Sequence, residues 1–145
     1  MRSFQFRLDR VLSWRGKQLK MEENRLAACL DALHTLERAI ARFRAERLVV
    51  ERDLLQLRSI PAAEFINLSR YRLRAQKQEI EFGEQRQRSE KAVGDQRALV
   101  QKAQQRVMLL EKLRDRRLVE YRYARDRELE EVAAEAHLSR WSREN

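Results

Sequence analysis

Few side chains in these 145 residues have the type and spacing that chemistry requires. Cys29, the single cysteine, would be the nucleophile, yet neither His34 nor His137 is near it in sequence and no activating group is evident. It reads as a small buried hydrophobe. The two histidines are far apart and lack Cys or carboxylate neighbours at ligand spacings such as H-x-x-x-H, so no metal site is legible. Glu22-Glu23 and Glu130-Glu131 are adjacent carboxylates. Neighbours on a helix diverge by about 100°, so neither pair can share a proton or a substrate. Gly16, Gly83 and Gly94 are isolated, which leaves no glycine-rich phosphate loop. The chain is expected to be no enzyme, with no catalytic, metal or cofactor-binding residue and no cofactor.

Arginine is the residue type suited to binding. It supplies 26 of the 32 basic residues, against 23 acidic ones, for a net charge of +9. Its charge is permanent and its contacts are bidentate, so acidic partners and salt-sensitive association follow. Arginines cluster in Arg70-Tyr71-Arg72-Leu73-Arg74, in Arg86-Gln87-Arg88 and in Arg114-Asp115-Arg116-Arg117. As a nucleic-acid stripe these would have to share a helix face. Arg70 and Arg74 do, but Arg72 points away, and Glu79, Glu81, Glu84 and Glu90 interleave the run. A solvated or protein-binding face is the preferred reading, with no direct nucleic-acid contact. Trp14 and Trp141 stand near the two ends and either anchor contacts or cap a coil.

The elements that would position these residues are helical. Gly and Pro together number only four, too few for the turns of a sandwich, barrel or doubly wound sheet. Ala, Glu, Lys, Leu and Arg make up 85 residues, about 59% of the chain, above the level that marks coiled coils. A seven-residue ladder runs through Leu12, Leu19, Leu26, Leu33, Ile40, Arg47 and Leu54. Beside it lies a second one, Leu8, Arg15, Glu22, Cys29, Leu36, Phe43, Val50 and Leu57. These are a and d positions, and they predict one helix over about residues 4–58. The only proline, Pro61, places the reversal at about 59–63, with a second helix over about 64–141. After Gly94 the apolar residues recur by eleven, as Leu99, Leu110, Tyr121 and Val132, and as Val107, Leu118 and Leu129. That spacing predicts a distal part held by no strict heptad seam. The fold class is therefore all-α, an antiparallel coiled-coil hairpin of two long helices with the second longer, forming one domain over 1–145. The seam is expected at Leu19, Leu26, Cys29, Leu33, Leu36, Ile40, Phe43, Val50, Leu54 and Leu57.

A lone cysteine fits a reducing compartment, and the longest apolar run, Leu26 to Leu30, is too short for a secretory or membrane-spanning segment. A cytoplasmic protein is expected.

The first residues read Phe4-Gln5-Phe6-Arg7-Leu8-Asp9-Arg10-Val11-Leu12-Ser13-Trp14-Arg15, the pattern F-x-F-x-L-x-x-V-L-x-x-R. Nearer the other end stand Leu110-Glu111-Lys112-Leu113-Arg114, then Glu120-Tyr121, then Leu129-Glu130-Glu131-Val132-Ala133. In both places, and in length and charge, the chain resembles the FliJ family, soluble coiled-coil proteins of the flagellar type III export apparatus. The resemblance implies a non-catalytic stalk in or on the hexameric export ATPase ring, linked to the export gate protein and to export chaperones. It also implies peripheral association with the inner-membrane export apparatus. The equivalent stalk protein of a virulence-type III secretion system, a basic nucleic-acid-binding coiled coil and a homodimeric scaffold stay open as alternatives.

Carried onto this sequence, the resemblance assigns the ring-contacting tip to Phe4, Phe6, Leu8, Val11, Leu12, Arg15, Tyr121, Arg122, Arg125, Leu129, Glu130, Glu131 and Ala133. Phe65, Ile66, Tyr71 and Phe82 lie off the seam and are expected to form a partner patch, for the gate for example. If the chain reverses near residue 60, Leu8 faces about Lys112 and the last thirty or so residues overhang. The ladder makes a direct prediction: Leu33→Asp should cut helicity measured by circular dichroism, whereas Glu37→Ala should not. Equal effects would show that the seam lies elsewhere.

Overall fold

The computed structural model describes residues 2–57 and 59–145. Two helices, α1 (Asp9–Leu55, 47 residues) and α2 (Ala62–Glu144, 83 residues), form an all-α helical hairpin, the second helix longer than the first. The chain divides into two compact units. One is Met21–Val100, and the other combines Met1–Lys20 with Gln101–Asn145.

In the unit Met21–Val100, α1 and α2 run antiparallel. Glu22 meets Gln96, Glu37 meets Arg86, Phe43 meets Phe82 and Arg44 meets Glu79, so positions rise on one helix as they fall on the other. On α1 the ladder Leu26, Leu33, Ile40, Arg47 and Leu54 turns inward, with Ile40 only 5% exposed. On α2 the matching positions also recur by seven: Leu68, Ala75, Phe82, Ser89 and Gln96, beside Val93 and Val100. Ala75, Val93 and Val100 are buried. Small side chains let the large residues of α1 settle between them, as knobs in holes.

Polar groups interrupt this apolar seam and find partners across it. The Gln96 amide donates to the Glu22 backbone carbonyl at 3.1 Å and to the Glu22 carboxylate, which also accepts from Arg25 at 2.9 Å. Arg44 donates through Nε to Glu79 Oε1 at 2.8 Å, while Glu79 Oε2 is buried without a hydrogen-bond partner. The rings of Phe43 and Phe82 meet edge-on, 5.5 Å between centroids.

In the other unit Ala103 is buried on α2 and Val107, Leu110, Leu113, Arg114, Leu118 and Tyr121 are half-buried; Ala103–Leu110 and Val107–Arg114–Tyr121 keep heptad steps, and Leu113 and Leu118 lie off them. Of the elevenfold rows, Leu110, Tyr121, Val107 and Leu118 are half-buried. Leu99 is 46% exposed, and Leu129 and Val132 are also exposed. The heptad was hard to see because Ala, Ser and Gln occupy many of its positions while larger residues stand outside it.

The element boundaries also move. The first helix begins at Asp9, not near residue 4. It ends at Leu55 in a tightened turn, where Leu57 N–H donates to Leu54 C=O at 3.3 Å. The expected terminus at Arg58 lies outside the described residues. Val50 and Leu57 are exposed and do not belong to the seam, Leu57 because it follows the helix. The reversal spans residues 56–61, and the Pro61 carbonyl accepts the Phe65 N–H at 3.0 Å, which makes Pro61 the N-cap of α2. α2 runs unbroken through Gly83 and Gly94, where a Cβ would meet nothing within 4 Å.

The Glu22–Gln96 contact makes a prediction. Gln96→Leu alone strips the half-buried carboxylate of its amide donor and should cost about 1 to 2 kcal/mol in urea unfolding. Adding Glu22→Leu should return the stability to at least its starting value, since an apolar pair replaces a polar one.

Candidate partner-binding site

The alternation Phe4-Gln5-Phe6 suits an extended chain, in which every second side chain points the same way. The structure shows that pattern: residues 2–6 are not helical, Phe4 and Phe6 are half-buried and Gln5 is exposed. A helix starting at residue 4 would splay the two rings by about 200° and forgo this burial. The segment turns at Arg7–Leu8, where Asp9 N–H donates to Phe6 C=O at 3.1 Å. The Leu12 N–H then donates to Leu8 C=O at 2.9 Å, and the Asp9 carboxylate complements the positive end of the helix.

What receives the segment is α2 near Tyr121. The Phe4 and Tyr121 rings pack at 5.5 Å between centroids, tilted by 52°, and the Tyr121 hydroxyl donates to the Arg2 carbonyl at 2.7 Å. Phe4, Phe6 and Leu8 then face Leu113, Arg117 and Tyr121 across an open groove of about 940 Å³, with Arg2 and Arg7 also on its walls. A second groove of about 590 Å³ lies between Phe4 and Phe6 on one side and Asp9, Arg10 and Arg114 on the other. Leu8 thus shares the groove with Leu113 and Arg117, next to the Lys112 position that the sequence register implied. An apolar floor with guanidinium groups around it suits a partner that brings apolar side chains flanked by carboxylates.

No family model, curated protein or solved structure matches the chain.

Of the residues assigned to the tip, Phe4, Phe6, Leu8 and Tyr121 come together in the first groove. Leu12 and Arg15 are half-buried on α1, Val11 is exposed, and Arg15 also lies 4.7 Å from the centre of the Trp14 ring. Arg122, Arg125, Leu129, Glu130, Glu131 and Ala133 are exposed on α2, and no contact described joins them to the first eight residues. Of the partner patch, Phe65 and Ile66 are exposed and Tyr71 is half-buried. Phe82 is half-buried too, and its ring packs on that of Phe43. Among the seam residues Leu19, Leu26, Cys29, Leu33, Leu36, Phe43 and Leu54 are half-buried.

Arg2, Leu113 and Arg117 are groove residues that the sequence did not single out for this site. Arg117 stands one turn before Tyr121 and Leu113 two turns before, which is the signal that would have found them. Arg2 contributes a backbone carbonyl, which side-chain patterns do not encode. Among the described residues no three His, Cys, Asp or Glu side chains gather closely enough to hold a metal ion, and no helix is long and apolar enough to cross a membrane.

Tyr121 is therefore the clasp of this site. Tyr121→Phe should cost only about 1 kcal/mol, the worth of one hydrogen bond. Tyr121→Ala should release residues 2–8, seen as faster amide exchange and proteolysis there, while far-UV circular dichroism stays nearly unchanged.

Proposed function

We propose that this chain is a non-catalytic component of the flagellar type III protein export apparatus. It works as a stalk in or on the hexameric export ATPase ring and links that ring to the export gate protein and export chaperones. It resides in the cytoplasm, peripherally associated with the inner-membrane apparatus. One observation carries the reading: Phe4, from the opening motif, packs on Tyr121, from the closing stretches. Two short sequence signals separated by more than a hundred positions thus form one structural feature. The all-helical hairpin and the arginines around the groove support it too, since an acidic ring surface would bind them in a salt-sensitive way.

The test is ATPase stimulation. The full chain should raise the turnover of the cognate export ATPase and co-purify with it. A chain ending at Tyr121 keeps the Phe4–Tyr121 contact but should lose most of that stimulation. Full stimulation by the shortened chain would remove residues 122–133 from the tip. Failure of the full chain either to bind or to stimulate would sink the export reading itself.

A further inference from the structure

The exposed apolar surface of the unit Met21–Val100 is gathered at the chain reversal. Among the described residues, twelve large apolar side chains of that unit are exposed, and nine of them lie between Leu48 and Leu73. Leu55 is 80% exposed, Phe65 60% and Ile66 54%, with Leu57 and Ile60 also exposed on the connection between the helices. An apolar group of this size marks a surface that something else covers.

Direction and charge say what covers it. At about 100° per residue, Val49 stands about 180° from the buried Ile40 on α1, and Leu48 and Val50 lie about 80° to its two sides. On α2, Ile66 stands about 180° from the buried Ala75, and Phe65 about 80° from it. Because the two seams face each other, these side chains point outward from the hairpin in opposite directions. A folded partner offers one face and would leave the opposite side chains in water. The apolar boundary of a bilayer closes around all of them.

The charges agree with a lipid surface. Residues 52–78 hold six cations, Arg52, Arg58, Arg70, Arg72, Arg74 and Lys77, against two carboxylates, a net +4 of the chain's +9. From Phe65 to Gln78 there is no carboxylate. Arg70, Arg72 and Arg74 are exposed, with Arg72 on the flank away from the other two. The two carboxylates are compensated: Asp53 lies 3.8 Å from Arg52, and Glu64 stands in the first turn of α2, at its positive end. Arg70 comes four residues after Ile66, about 6 Å along the axis. That offset matches the roughly 5–10 Å by which interfacial segments enter the headgroup layer.

We infer that the reversal of this hairpin is a contact site for an anionic membrane surface. Leu55, Leu57, Ile60, Phe65 and Ile66 enter the acyl boundary, while Arg52, Arg70, Arg72 and Arg74 reach the lipid phosphates on their flexible stems. The contact is with one leaflet, since among the described residues no helix is long and apolar enough to cross a membrane. The export reading brings the chain to the membrane only through other components of the apparatus, and the inference does not rest on it.

The test is co-sedimentation of the full chain with vesicles of phosphatidylcholine, with and without phosphatidylglycerol. Saturable binding to the mixed vesicles is expected, about tenfold or more weaker without the anionic lipid. Phe65→Ser with Ile66→Ser, and separately Arg70→Gln with Arg72→Gln, should each weaken it about tenfold or more. Tyr123→Ser with Leu138→Ser, and Arg140→Gln with Arg143→Gln, lie in the other unit and should leave it within about threefold. All these positions are exposed, and circular dichroism confirms that each variant stays folded. No binding, equal binding to both kinds of vesicle, or equal loss in the variants of the other unit overturns the inference. Loss in the arginine pair alone also overturns it, because that is adsorption without insertion. The vesicles contain no export component, so their failure to bind leaves the ATPase experiment untouched, and loss of ATPase stimulation leaves vesicle binding untouched.

Discussion

Burial of one helical stripe against another holds this protein together, and neither helix has any other way to cover its apolar side chains. A lone helix in water is marginal however good its residues are, so its stability has to come from packing. In the unit Met21–Val100 the stripe of α1 carries large aliphatic residues such as Leu33 and Ile40, while the buried residues of α2 are the smaller Ala75, Val93 and Val100. Large against small allows close approach without a thick core. It also leaves little apolar area to spare, so each polar intrusion into the seam has to be satisfied.

Those intrusions set the pairing. An aliphatic seam alone tolerates a slip by one heptad, because one aliphatic side chain takes the place of another. Glu22 and Gln96 do not tolerate it, since a slip would leave a half-buried carboxylate and amide unpaired. Arg44 with Glu79 and Arg86 with Glu37 add to the same preference, though their exposure keeps each contribution small. The Phe43–Phe82 contact has one aromatic on each helix and so fits one alignment only.

In the unit formed by residues 1–20 and 101–145, the same rule acts on a different kind of partner. An extended aromatic segment covers α2 at Tyr121, and helix continues beyond it with nothing described against it. A covered stripe that passes into an uncovered one is a natural place for another protein to join, because the joining helix inherits a face already suited to packing.

The chain by itself determined the class: the heptad of α1, the scarcity of glycine and proline and the position of Pro61 leave two helices and a reversal as the only economical fold. It also determined most of the α1 seam, because there the buried residues are the large apolar ones. Tertiary structure decided the seam of α2, where Ala is buried and Ser and Gln are half-buried by virtue of what lies opposite, and their own side chains give no sign of it. It likewise decided that Phe4 and Phe6 stand on an extended segment outside the helix. Periodicity near a helix end cannot separate a first helical turn from a short strand, and the choice falls to Tyr121, more than a hundred residues away, whose ring and hydroxyl favour the extended form.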